Sequence, residues 1–143
     1  MASDTKSAGW MLDPVLERDT RSIGDMSLCR VLLNRDANYP WLLLVPRRRG
    51  VVELIDLDDA DQAHLTTEIA AASRALKTAT ACDKLNVAAI GNVVAQLHVH
   101  IIARRHDDAA WPKPVWNAVP ATPYDETAMQ TLIAALRSRL MLA

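Results

Sequence analysis

The spacing of apolar positions names two helices. From Asp58 or Asp59 to about Ala79, residues Leu65, Ile69, Ala72 and Leu76 fall at intervals of four, three and four, which lines one side of a helix. Aspartates lie at its start and Arg74 and Lys77 near its end, the charge order a helix dipole favours. A second stripe, Met129, Leu132, Ile133, Leu136 and Leu140, marks a helix over Glu126–Leu140 with Asp125 as its cap.

Strands come from short apolar runs bounded by turn residues. Leu28–Leu33 and Trp41–Val45 flank the turn-rich stretch Asn-Arg-Asp-Ala-Asn and predict a hairpin, closed by Pro46 and Gly50. A third strand lies in DKLNVAAIGN, ending at Gly91, and a fourth spans Gln96–Ala103. Before the hairpin, MLDPVLERDTRSIGD holds too many breakers for a long helix, though Leu12, Val15 and Leu16 fit one apolar turn. The stretch 104–125 carries four prolines and two tryptophans, predicting irregular chain that packs on something. The fold class is therefore α+β, an antiparallel sheet with helices. A length of 143 residues suits a single domain over 1–143.

Composition narrows the function. Half the residues are hydrophobic, 23% are charged and the formal charge is -1, which excludes a disordered chain and a generally basic surface, so no nucleic acid is expected as partner. Cys29 and Cys82 lack the close spacing of a zinc knuckle and are expected as reduced, packed thiols. No apolar run approaches the roughly 20 residues that cross a bilayer, and the N-terminus has no basic stretch followed by an apolar one. A cytoplasmic protein with no membrane contact is the expectation.

Chemistry concentrates in AQLHVHIIARR, Ala95–Arg105, which holds two of the four histidines. In a strand Gln96, His98 and His100 project to one side and Leu97, Val99 and Ile101 to the other. Such a pair can be a half-exposed sheet face. It can also supply two imidazoles to a metal, which needs a third ligand that His64, His106, Asp107 and Asp108 do not fix by spacing. Third, a neutral imidazole can attack phosphorus and then leave to water. That role needs an acceptor on the other ring nitrogen, a group near the leaving oxygen and donors for the phosphoryl oxygens.

QLHVHII resembles the histidine-triad motif, His-φ-His-φ-His-φ-φ with φ apolar, with Gln96 in place of the first histidine. The preceding GNVVAQ is similar to that superfamily's Gly-Gln-Ser/Thr-φ-x-His approach, and VLLNRDANYPWLLLVPRR resembles the nucleoside-binding hairpin of the fragile-histidine-triad branch, whose members include diadenosine polyphosphate hydrolases. The likeness covers about residues 28–105, leaving 106–143 as a C-terminal extension. It implies an antiparallel sheet of about five strands with a long helix and a C-terminal helix.

The resemblance also implies roles. His98 becomes the nucleophile that forms a nucleotidyl-histidine, His100 a hydrogen-bonding group near the phosphate, and Gln96 the third member of the candidate catalytic set. Asn34 falls at the ribose position; Gly91, Asn92 and Val93 fall at the phosphate-binding turn. Gln96 cannot titrate near neutrality, Val93 stands where a Ser or Thr hydroxyl is usual, and Trp41 lies nearest to a further histidine of the family. Arg47, Arg48, Arg49, Arg104 and Arg105 are weaker candidates for phosphate contact, and Trp111 and Trp116 for a base-binding wall. The implied activity is hydrolysis or nucleotidyl transfer on a dinucleoside polyphosphate or nucleoside phosphoramidate, with a nucleotide-binding sensor as the alternative. No cofactor or metal is implied for the covalent step, although a divalent cation can accompany a polyphosphate. A homodimer is implied.

Overall fold

The computed structural model describes residues 4–142. In chain order the elements are α1 (Pro14–Asp19), β1 (Thr20–Asp25), β2 (Cys29–Asn34), β3 (Trp41–Pro46), α2 (Asp59–Thr80), β4 (Lys84–Ala88), β5 (Val99–Arg104) and α3 (Glu126–Leu140). The five strands form one antiparallel sheet in the order β1-β2-β3-β5-β4. β3 and β5 are buried along their whole length, which is why both read as apolar runs.

Side-chain alternation sorts these central strands into two cores. Val31, Leu33, Leu42, Leu44, Val99, Ile101 and Ala103 pack with Leu65, Ala72 and Leu76 of α2 and Met129, Ile133 and Leu136 of α3. Leu32, Trp41, Leu43, Val45 and Ile102 point the other way. Among the described residues no long helix covers that second face. Trp10, Leu12, Val15 and Leu16 from the N-terminal segment cover it, together with Ala110, Val115, Trp116 and Ala118 from the proline-rich segment. The irregular chain predicted to pack on something is thus half of a core.

Both long helices form where their stripes place them. Asp58 caps α2 by accepting from the backbone N–H of Asp61 at 2.8 Å, and Asp125 caps α3 by accepting from that of Ala128 at 3.0 Å. The first hairpin strand lies one residue further along than its sequence bounds, and the second starts at Trp41 as expected and ends one residue later, at Pro46. β1 has no counterpart among the strands expected from sequence, for a physical reason. A bulge between Ser22 and Gly24 sets its buried residues, Thr20 and Ile23, three apart, so the period-two signature of a strand is lost. β4 stops at Ala88 rather than Gly91, and β5 begins at Val99 rather than Gln96. Just ahead of β5, the N–H of Leu97 donates to the carbonyl of Val51 at 3.1 Å, so residues 96–98 lie outside the ladder. Cys29 and Cys82 are buried free thiols, as expected.

Four of the five arginines weighed as phosphate ligands, all but Arg49, are committed elsewhere. Arg104 is 1% exposed and gives Nε and Nη2 to the Asp108 carboxylate at 2.7 and 3.1 Å and Nη1 to Asn86 at 2.8 Å. Its guanidinium lies over the rings of Tyr39 and Trp111. Arg105 donates to the carbonyl of Thr80, Arg47 to those of Met26 and Ser27, and Arg48 to Asp61 and Asp4. Removing the Asp108 carboxylate strands a buried cation. We expect Asp108→Ala to cost about 3–5 kcal/mol in urea unfolding, and the Arg104→Met, Asp108→Leu double variant to recover most of that loss.

Candidate active site

The second face of the sheet holds a cavity of about 510 Å³ with His98 and His100 among its lining residues. The start of the chain supplies Leu16, Asp19 and Thr20 to its wall, the hairpin supplies Asn34 and Trp41, and the proline-rich segment supplies Trp116 and Asn117. The turn before β5 completes it with Gly91 to Val94. A smaller cavity of about 320 Å³, lined by residues 52–55 and 89–91, also touches His98. His98 therefore stands where two spaces meet, although only 7% of the residue is exposed.

Each histidine has its tautomer set by a neighbour with one possible role. Nδ1 of His98 lies 2.6 Å from the backbone oxygen of Gln96. A carbonyl only accepts, so Nδ1 carries the proton and a neutral ring has its lone pair on Nε2. His100 is the reverse. Its Nδ1 accepts from the Trp41 indole at 2.9 Å, and an indole N–H only donates, so the neutral ring carries its proton on Nε2. Burial, then the nearby His98, pushes the pKa of His100 down to about 4, which keeps it a neutral donor at pH 7. The two rings meet edge to face with centroids 4.9 Å apart, and Trp116 packs edge-on against both His100 and Trp41.

Of the residues singled out from sequence, His98, His100, Asn34, Gly91, Asn92 and Val93 come together around the larger cavity. Asn34 also shapes the hairpin turn: its Oδ1 accepts from the N–H of Asp36 at 2.9 Å. Gly91 has φ of +71°, the left-handed region, and a Cβ there would sit 3.4 Å from the carbonyl of Val94. Gln96 is not among the residues lining either cavity. Its Oε1 accepts from the N–H of Asp13 at 2.9 Å and its Nε2 donates to the carbonyl of Met11 at 2.8 Å. Trp111 lies beside His106 and Arg104, away from the cavity that Trp116 borders. Among the described residues no third His, Cys, Asp or Glu joins the histidine pair in a group able to hold a metal. Leu16, Asp19 and Thr20 escaped sequence reasoning. The signal available was Asp13-Pro14, an N-cap followed by proline at the first helical position, which starts α1 and delivers them to the wall.

A family model described as HIT domain matches residues 15–107. The chain belongs to the HIT family. The histidine triad protein of Bradyrhizobium japonicum is 59% identical, with 92% of this chain and 98% of that one covered at a TM-score of 0.91. HIT proteins of Sinorhizobium meliloti and Marinobacter aquaeolei are 44% and 41% identical, each at a TM-score of 0.89. Those alignments cover 92% and 94% of this chain, and 97% and 98% of the others. No curated protein matches the chain. HIT-family proteins are in general nucleotide-binding proteins, hydrolases or transferases. The five-stranded sheet is thus the HIT-like fold that the motif implied.

The depressed pKa of His100 carries a stability consequence. An unfolded chain takes up a proton at this ring near pH 6.5 and the folded chain only near pH 4, so acid favours unfolding across that window. His100 thus contributes stability above pH 6.5 that is lost as the pH falls through 4. Urea unfolding should show its share as a drop of about 2 kcal/mol between pH 7.5 and pH 5, a slope missing from His100→Asn.

Proposed function

We propose that this HIT protein is a nucleotide hydrolase or nucleotidyl transferase that works through a covalent nucleotidyl-histidine on His98. One observation carries the reading: the Gln96 carbonyl holds Nδ1–H of a cavity-lining imidazole, which leaves Nε2 as a bare nucleophile. Nε2 forms a bond to the α-phosphorus, the bond from phosphorus to the leaving oxygen or nitrogen breaks, and the leaving group departs with that electron pair. The ring becomes cationic, and its Nδ1–H bond to the carbonyl strengthens. Water or another O–H acceptor then attacks phosphorus and loses a proton to solvent, which in turn supplies the proton a departing amine takes up. The P–N bond breaks with its electron pair passing to Nε2, and the neutral imidazole returns.

The surrounding groups suit the phosphate. His100 offers an N–H donor that burial keeps neutral. Asn92 and the backbone N–H groups of the Gly91–Val94 turn are the donors for phosphoryl oxygens, and Asn34 serves the ribose with its amide nitrogen. Trp116, bordering the cavity, is the base-side wall. Dinucleoside polyphosphates and nucleoside phosphoramidates are the substrate classes, the first with a divalent cation bound to the polyphosphate. A nucleotide sensor is the second reading. It is favoured by Val93, which brings no hydroxyl to the turn, and by Gln96, whose amide is already spent on the chain at Met11 and Asp13.

Quenching the reaction of an α-³²P-labelled substrate in base should trap acid-labile label on wild-type protein and none on His98→Ala. Tight binding of adenosine monophosphate by both proteins, with neither label nor turnover, would support the sensor instead.

The same reading includes a homodimer. β4 is an edge strand with an unpaired ladder side, and Val87, Ile90 and Ile55 near it are exposed at 50%, 47% and 83%. Joining two such edges extends the sheet and covers those side chains. Light scattering should give twice the monomer mass for the wild type, and Val87→Lys should shift it toward the monomer.

A further inference from the structure

The geometry points to Gln96 as a positioning residue, a latch that fastens the N-terminal segment across the nucleotide cavity and ties it to the nucleophile. The residue has two ends. Its carboxamide grips the backbone at Met11 and Asp13, more than 80 positions away in sequence. Its own backbone oxygen holds Nδ1–H of His98. Wall and nucleophile therefore meet on a single residue.

What the carboxamide grips is the origin of α1. Asp13 caps that helix, its Oδ1 accepting from the N–H of Val15 at 2.8 Å. From there the helix carries Leu16 and Asp19 to the cavity wall, and Thr20 follows with its hydroxyl bonded to the carbonyl of Leu16 at 2.6 Å. Among the described residues before Pro14, regular structure is confined to a one-turn 3-10 helix at Thr5–Ser7. Its tethers nearer the start are Asp4 to Arg48 at 2.7 Å and Lys6 to Asp58 at 2.8 Å, the latter on an exposed surface. Screened surface pairs of that kind hold little by themselves. The two Gln96 bonds, one part-buried and one exposed, sit beside the packed Trp10 and Leu12 where the chain enters the cavity wall, and they act together.

Residue type matters for this task. A carboxamide presents an acceptor and a donor side by side at one end, matching the N–H of Asp13 and the carbonyl of Met11. The two nitrogens of an imidazole diverge, so a histidine at this place in the triad cannot bridge the same pair of backbone groups. Gln96 has thus exchanged a titrating side chain for a structural grip, and its effect on the reaction runs through the wall and through the orientation of His98.

This inference rests on the nucleotide reading for its ligand, and its test does not use labelling of His98. Full-length wild type, Gln96→Ala and Gln96→Glu would be compared by hydrogen exchange at the Asp13 amide, by calorimetry with adenosine monophosphate, and by the pH profile of any turnover. Loss of both bonds in Gln96→Ala should speed Asp13 exchange by about tenfold or more and weaken nucleotide binding by about three- to tenfold. Gln96→Glu keeps the acceptor for Asp13 and loses the donor to Met11, so it should fall between the two. The pH profile of Gln96→Ala should keep its position. Unchanged exchange at Asp13 in Gln96→Ala, or unchanged nucleotide affinity, would overturn the latch. A displaced pH profile in Gln96→Ala would overturn it too, by assigning Gln96 to proton transfer. A wild type that binds nucleotide and never carries label on His98 refutes the covalent reading and leaves the latch standing.

Discussion

The site depends on one hydrogen bond, from Nδ1–H of His98 to the backbone oxygen of Gln96. Rotating or breaking it would free the imidazole to put its proton on either nitrogen, and the lone pair facing the cavity would no longer be fixed. The acceptor is main chain, so no change of pH removes it. It exists because residues 96–98 leave the β5 ladder: Leu97 bonds to Val51 instead, and the carbonyl of Gln96 is left to meet the ring two residues on. A regular strand running through Gln96 would have sent that carbonyl to a neighbouring strand.

The sheet explains why there is room for a ligand at all. Its first face is sealed by two amphipathic helices whose stripes match the strands, which leaves a continuous apolar core. Its second face is covered by the N-terminal segment with the short helix α1 and by the irregular proline-rich segment, a cover that packs with gaps. The gap falls where β3 and β5 present Trp41 and His100 side by side with Leu43. Stability is thus vested in the helical side and chemistry in the other, so the cavity does not compromise the main core.

Much of the fold was legible because local signals agreed with tertiary ones. Asp58 and Asp125 are caps in sequence and in space, and the stripes beginning at Leu65 and Met129 are the buried sides of α2 and α3. Motif likeness brought His98, His100, Asn34, Gly91 and Asn92 to one cavity. The misses share a cause. β1 was hidden by its bulge, and the partner of Gln96 by a separation of 83 positions, which no periodicity can register. Arg104 looked like a basic strand end and is a buried ion pair, because its carboxylate, Asp108, lies in a tight turn just past the strand. Long-range partners of polar side chains are set by packing, and sequence pattern does not encode them.

Two departures from the histidine-triad pattern turn out to be related. Gln96 stands at the first triad position, and Trp41 stands nearest to a further family histidine; both bracket the retained pair, one on each side. Neither side chain gains or loses a proton in the physiological range. Trp41 can only donate, so His100 keeps its proton on Nε2 for as long as it is neutral, and the depressed pKa of His100 extends that condition well into acid. A histidine in Trp41's place could offer either a lone pair or a proton and would let the tautomer of His100 switch. The Trp41 indole fixes the polarity of His100 and the Gln96 main chain that of His98, so the two imidazoles hold opposed hydrogen-bond polarities. A pair so held presents one bare nitrogen, on a neutral His98, and one N–H, on His100, and neither depends on a side chain that titrates.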